Sequence, residues 1–288
     1  MPVPRLFEAS SDPREQWVHV LATLLGLGGP ETRTALVEEI TGEALPDADA
    51  LLVREQRPLA DGLTADIVAR GAGWTFAVHA TLAFDADDAE RLAATYDALT
   101  EGAYDRALVV AVTPDRKPPA SVQAAADGGR RNIHHRSWLR VRDWVQERPE
   151  RGRAQGTDLL LLREAEYFFT PRVAELYRLE GLMPMVEQPL RPSLAGMFFD
   201  LNDLAPAPRI TNEAGAARVA FPRTGDPQAE IAVGDAGLSL TLAGGDGGPG
   251  FADAGEGRRR LDVRSADDYL AARAWSHAVA RSLLPPRR

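Results

Sequence analysis

The 288-residue chain contains no cysteine. That excludes a disulfide framework, a thiolate zinc site, an iron–sulfur cluster and a cysteine nucleophile. Lysine is almost missing as well. Lys117 is the single lysine among 33 lysines and arginines, so chemistry that needs an ammonium group has one place to find it. No apolar run approaches the length of a bilayer crossing. The opening residues, MPVPRLFEASSDPREQW, lack the basic-then-apolar pattern of a secretory signal. The expectation is a soluble cytoplasmic protein with no membrane partner. A formal charge of -9 argues against a surface coated in nucleic acid but leaves room for a local basic face. With 44% hydrophobic residues the chain can bury one large core or two small ones.

Patterning along the chain predicts an α/β protein. Ser11-Asp12-Pro13 reads as a helix start, and Trp17, Val20, Leu21, Leu24 and Leu25 follow at helical spacing. A second helix is expected from Pro30 to Gly42, then a strand at 50–54 followed by a polar bend. The stretch LTADIVARGAGWTFAVHATLAF (63–84) holds two β-rich runs around Gly71-Ala72-Gly73, a hairpin signal. In its second run Trp74, Phe76, Val78, Ala80 and Leu82 alternate with Thr75, Ala77, His79 and Thr81, so His79 and Thr81 share a face. Helix 86–101, the buried strand 107–112, helix 119–126, a strand near 132–134 and helix 137–147 complete the alternation. Beyond a charged linker at 148–156, helices are expected over 157–169 and 170–181. MFFDL (197–201) and later segments read as short strands, 244–257 as a mobile glycine-rich loop, and 266–282 as a closing helix. The implied domains are an α/β core over 1–150, a helical extension over 151–194, and a β-rich region over 195–288 ending in a helix.

The order and spacing of elements in the first 150 residues resemble the PD-(D/E)XK, or restriction-endonuclease-like, nuclease superfamily. The residues that carry the resemblance are Glu15 on a leading helix, Asp66 in a T-A-D-I-V strand, and His79-Ala80-Thr81 on the next strand. AERLAATYDAL (89–99), VVAVTPDR (109–116) and I-H-H-R-S-W (133–138) follow in order. The resemblance implies a mixed sheet flanked by helices. In active members it also implies a divalent cation held by two acidic residues, with a lysine two residues after the second acid. His79 stands where that acid belongs and Thr81 where the lysine belongs. Imidazole in place of a carboxylate removes a charge and an oxygen ligand that magnesium prefers. Thr81 brings no positive charge to phosphate, and Lys117 lies in a proline-rich loop beyond the buried strand. The catalytic positions Glu15, Asp66, His79 and Thr81 therefore read as a degenerate motif.

Three functions follow. The first is a catalytically degenerate nuclease-like protein, with no cofactor, that binds nucleic acid or a protein partner. The resemblance places such a protein in bacterial DNA processing or phage defence. The second is an active nuclease in which Asp66, His79 and Glu15 hold magnesium or manganese, with zinc also compatible with the histidine, and an arginine replaces the lysine. The third is a protein-interaction subunit, and a homodimer also fits. Contact with phosphates is expected from Arg130, Arg131, Arg136, Arg140 and Arg142. They belong to a stretch (130–153) that also contains Arg148, Arg151 and Arg153, so eight arginines stand against Asp143, Glu147 and Glu150, a net of +5. Adjacent His134 and His135 on a strand point to opposite faces and form no pair.

Overall fold

The structure, a computed structural model, describes residues 13–284 apart from 60–61, 85–87, 103, 153, 206–207, 214 and 223. The expected Ser11-Asp12 cap and Arg153 lie outside the described residues. Among those residues the protein is mixed α/β, with eight α-helices and two sheets. It divides into two compact units between residues 176 and 177.

The first unit opens with helices α1 (Pro13–Leu27) and α2 (Pro30–Thr41). Pro30 occupies the first turn of α2, and Gly42 closes it in the left-handed region at φ 78°. Then come β1 (Leu52–Pro58), β2 (Thr64–Gly71) and β3 (Trp74–Ala80), an antiparallel meander. Helix α3 (Ala89–Thr100) crosses to β4 (Arg106–Thr113), and α4 (Ala120–Ala125) crosses to β5 (Ile133–Ser137). Both crossovers leave parallel pairs, so the sheet runs β1-β2-β3-β4-β5 with only β2 reversed. Every residue of β3 is buried, which requires cover on both faces. Leu92 and Leu99 of α3 and Val122 of α4 pack with Val68, Ala77 and Val109 on one face. Helices α1, α2 and α5 (Trp138–Glu150) cover the other. Trp17 of α1 lies 4.8 Å from Trp138 and 5.7 Å from Phe169, an aromatic junction that fixes the helix layer.

Several expectations are corrected, among them the linker at 148–156, whose first three residues belong to α5. The strand expected at 50–54 runs over 52–58 instead. Its polar residues stay exposed because β1 is an edge strand. The two helices expected over 157–169 and 170–181 are one helix, α6 (Gly156–Leu179), with Pro171 inside it. Phe168, Phe169, Val173 and Leu176 form one buried stripe through the proline, and Tyr167, whose carbonyl loses its donor, is exposed. MFFDL belongs to helix α7 (Arg191–Leu204), not to a strand. Leu194, Met197, Phe198 and Leu201 recur at helical spacing and are all buried.

The second unit carries an antiparallel sheet ordered β10-β11-β9-β8-β7-β6. Its strands are β6 (Arg209–Glu213), β7 (Ala216–Phe221), β8 (Ala229–Gly234), β9 (Gly237–Ala243), β10 (Ala252–Gly255) and β11 (Arg258–Val263). Helix α8 (Ala266–Leu283) starts with a capping box between Ser265 and Asp268. It is tied to α7 at Asp200, a buried carboxylate that accepts from the Tyr269 hydroxyl and from Arg273 Nε at 2.8 Å. The glycine-rich segment is partly strand, β10, and partly packed. Phe251 lies 4.6 Å from Trp275, and the chain at Gly248 lies flat against the indole.

A Cβ on Gly248 would sit 2.2 Å from Trp275, whereas one on Gly181 meets nothing within 4 Å. Gly248→Ala should therefore cost about 1–3 kcal/mol by displacing the ring, and Gly181→Ala should leave stability within about 0.5 kcal/mol. Urea unfolding of the two variants checks this. Equal stability would contradict the packing described.

Candidate functional site

Asp66 sits one step past Ile67–Val78, the last pair of the β2–β3 ladder, beside the end of β3 that carries His79. It is 2% exposed. A carboxylate at that depth needs a counter-charge and donors. The Arg14 guanidinium supplies the charge, with Nη2 at 2.6 and 2.7 Å from the two oxygens. Arg14 Nε also donates to the Ala80 carbonyl at 2.7 Å, so one side chain bridges β2 and β3. The Ala80 amide donates to Asp66 at 2.8 Å, and Arg91 of α3 stands 3.9 Å away.

His79, buried on β3, meets the Thr95 hydroxyl at 2.7 Å through Nε2. Thr95 donates its own proton to the Arg91 carbonyl at 2.8 Å. The hydrogen between His79 and Thr95 therefore belongs to the imidazole, and Nδ1 is left as a buried lone pair without a partner. Burial, then the positive charge of Arg91, push the His79 pKa down to about 4 against an opposing pull from Asp66, so the ring is neutral at physiological pH. His79 and Thr81 line a cavity of about 20 Å³ with Arg91, Thr113 and Ser121, the size of a single water molecule. The Thr81 hydroxyl accepts from the Ala83 amide at 3.1 Å, and its carbonyl accepts from Trp138 Nε1 at 2.8 Å.

The structure thus brings Asp66, His79 and Thr81 together, with Asp66 bonded to the residue between the other two. Glu15 is not part of this group. It is exposed on α1, and its neighbour Arg14 makes the contact instead. The donor set does not fit a divalent cation. Two guanidinium groups lie within 4 Å of the one carboxylate such an ion would need, and like charge opposes its entry. Among the described residues, no group of three or more His, Asp or Glu side chains is arranged to hold a metal.

The five candidate arginines do not form one face. Arg130 pairs with Asp127 and Arg131 with Asp97, both before β5 begins. Arg142 is paired with Asp143. Only Arg136 and Arg140 line a second, larger cleft of about 800 Å³ between α2, the end of β5 and α5. Arg136 donates to the carbonyls of Glu39 and His135, binding the last turn of α2 to β5. Arg140 is held by both oxygens of Glu39, at 2.7 and 3.2 Å. His135 Nε2 meets Thr113 Oγ1 at 2.9 Å, and Thr113 in turn donates to Asp115. Burial and Arg136 lower the His135 pKa to about 4. Sequence reasoning missed Arg14, Arg91 and Trp144. The first two join residues far apart in the chain and leave no periodic trace. Trp144 was legible as a member of a stripe with Arg140 and Arg148.

No protein-family model matches the chain, and the comparisons with curated proteins and with solved structures found no match.

Arg14→Met should lower stability by about 2–3 kcal/mol, because it leaves a buried carboxylate without its nearest charge. The cost falls below that of a fully buried pair because Arg14 is 39% exposed. Denaturant unfolding measures it, and a loss under about 0.5 kcal/mol would contradict the pairing. The unfolded His79 ring takes up a proton near 6.5 and the folded one near 4. Stability should therefore fall as pH drops through that window, by about 2 kcal/mol from this group at pH 5. The slope of stability between pH 7 and 5 should be shallower in His79→Gln than in the wild type, whatever the variant's stability at pH 7.

Proposed function

We propose that this chain is a nuclease-like protein of the PD-(D/E)XK type that has lost cleavage chemistry and acts by binding. The observation that carries this reading is the guanidinium of Arg14 on Asp66. Where an active member would balance that carboxylate with a cation, this chain balances it with its own side chain. The neutral His79 and the uncharged Thr81 agree with it, since neither supplies the carboxylate or ammonium that phosphodiester cleavage would use. The mixed five-stranded sheet, with Asp66 and His79 on adjacent antiparallel strands and a helical crossover into the buried strand, supports this reading. Nucleic acid is the ligand that such a scaffold favours. A place in bacterial DNA processing or phage defence is the context that the resemblance adds.

Purified protein should leave labelled single-stranded DNA, duplex DNA and RNA intact with either Mg²⁺ or Mn²⁺. It should retain at least one of them in a gel-shift assay at low salt, where phosphate contacts are strongest. Metal-dependent cutting that Asp66→Ala abolishes would overturn the reading in favour of an active variant nuclease. Absence of all three complexes at low salt would overturn the nucleic-acid assignment.

A further inference from the structure

The cleft between α2, β5 and α5 is lined by neither Asp66 nor His79, and the loss of cleavage says nothing about its use. Its charge is opposite to that of the whole chain. Arg116, Arg136, Arg140, Arg148 and Arg151 face it. The acids on its walls are Glu38, Glu39 and Glu147, so the lining has a formal excess of two positive charges (five minus three) in a protein of net charge -9. At about 800 Å³ it falls within the size range of small-ligand sites. It is also built. Arg136 forms a fixed floor, and Gly42 is the residue that lets it pass, because a Cβ there would stand 2.6 Å from Nη2.

Helix α5 presents Arg140, Trp144 and Arg148 at intervals of four residues, and its C-cap residue Arg151 continues the stripe on the cleft wall. Trp144, half-buried, thus stands one turn from an arginine on either side, with the Arg148 guanidinium 5.8 Å from its ring centroid. Arg140 and Arg151 are more than half exposed and are steered by Glu39 and Glu147. The Arg151–Glu147 pair is exposed on both sides and holds weakly, whereas Arg140 is gripped through both oxygens of a Glu39 that is only 16% exposed. Each guanidinium keeps further N–H donors after its carboxylate is served. An aromatic plane flanked by guanidinium groups matches an aromatic base joined to phosphates.

We infer that this cleft binds a free nucleoside di- or triphosphate, its base against Trp144 and its phosphates on Arg140 and the neighbouring arginines. Glu39 competes with the phosphates for Arg140. The inference stands apart from the lost-cleavage reading, which rests on Asp66.

Calorimetric titration of the full chain with a nucleoside triphosphate, tripolyphosphate and adenosine tests it, with a 12-nucleotide DNA strand as a fourth arm. The triphosphate should bind at least about tenfold more tightly than tripolyphosphate or adenosine, since stacking and charge act together. Trp144→Leu should erase the preference over tripolyphosphate. Glu39→Gln should tighten triphosphate binding by about threefold or more by releasing Arg140, and Arg140→Gln should weaken it by about tenfold. Tripolyphosphate binding as tightly as the nucleotide, or nucleotide binding indifferent to both Trp144→Leu and Glu39→Gln, would overturn the proposal. So would a DNA strand binding this cleft more tightly than the nucleotide, a result that would leave the lost-cleavage reading standing.

Discussion

A carboxylate buried among strands must have its charge answered, and the pairing of Asp66 with Arg14 is the answer on which the first unit depends. Because Arg14 also holds the Ala80 carbonyl, the same guanidinium fixes the start of α1 to the ends of β2 and β3. Arg91, drawn to the same carboxylate from α3, brings a second positive charge toward His79 and helps keep the imidazole neutral. Asp66 and His79, two of the four residues of the expected motif, thus share one electrostatic environment in the fold. Desolvation of the buried carboxylate offsets much of the attraction, so removing Arg14 costs more than the pair itself contributes.

The second unit uses the same device with different partners. Asp200, on α7, is satisfied by Tyr269 and Arg273 of α8, and its ends are joined by packing instead of charge. Glycines at 245 and 248 let the chain lie against Trp275. Their abundance, which on composition alone suggests looseness, here serves close approach.

Where the sequence pattern was periodic, the fold could be read from it. The alternation around Trp74–Ala80 places His79 and Ala77 on one face as the β3 register has them, and the apolar run 107–112 is the doubly covered strand β4. Glycine and proline marked the ends of α2 correctly. Short apolar runs were ambiguous. MFFDL satisfies a strand and a helix equally until the residues around it are packed. Thr170-Pro171 carries the signature of a helix start, yet the buried stripe from Phe168 to Leu176 keeps one helix running through it. The Asp158 carboxylate, in the first turn of α6, accepts from the Gly29 amide and the Thr32 hydroxyl at the start of α2, a link that the sequence pattern does not mark. The site was half legible. Asp66, His79 and Thr81 could be placed by strand pairing, but the partner of Asp66 could not, since Arg14 lies 52 residues away and Glu15 beside it carries the more suggestive chemistry.

A guanidinium balances Asp66 in place of a metal ion. Titration calorimetry with Mn²⁺ on the wild type and on Asp66→Asn tests this most directly. Both proteins should give the same weak, non-stoichiometric heats. A one-to-one binding isotherm in the wild type that disappears in Asp66→Asn would contradict this assignment.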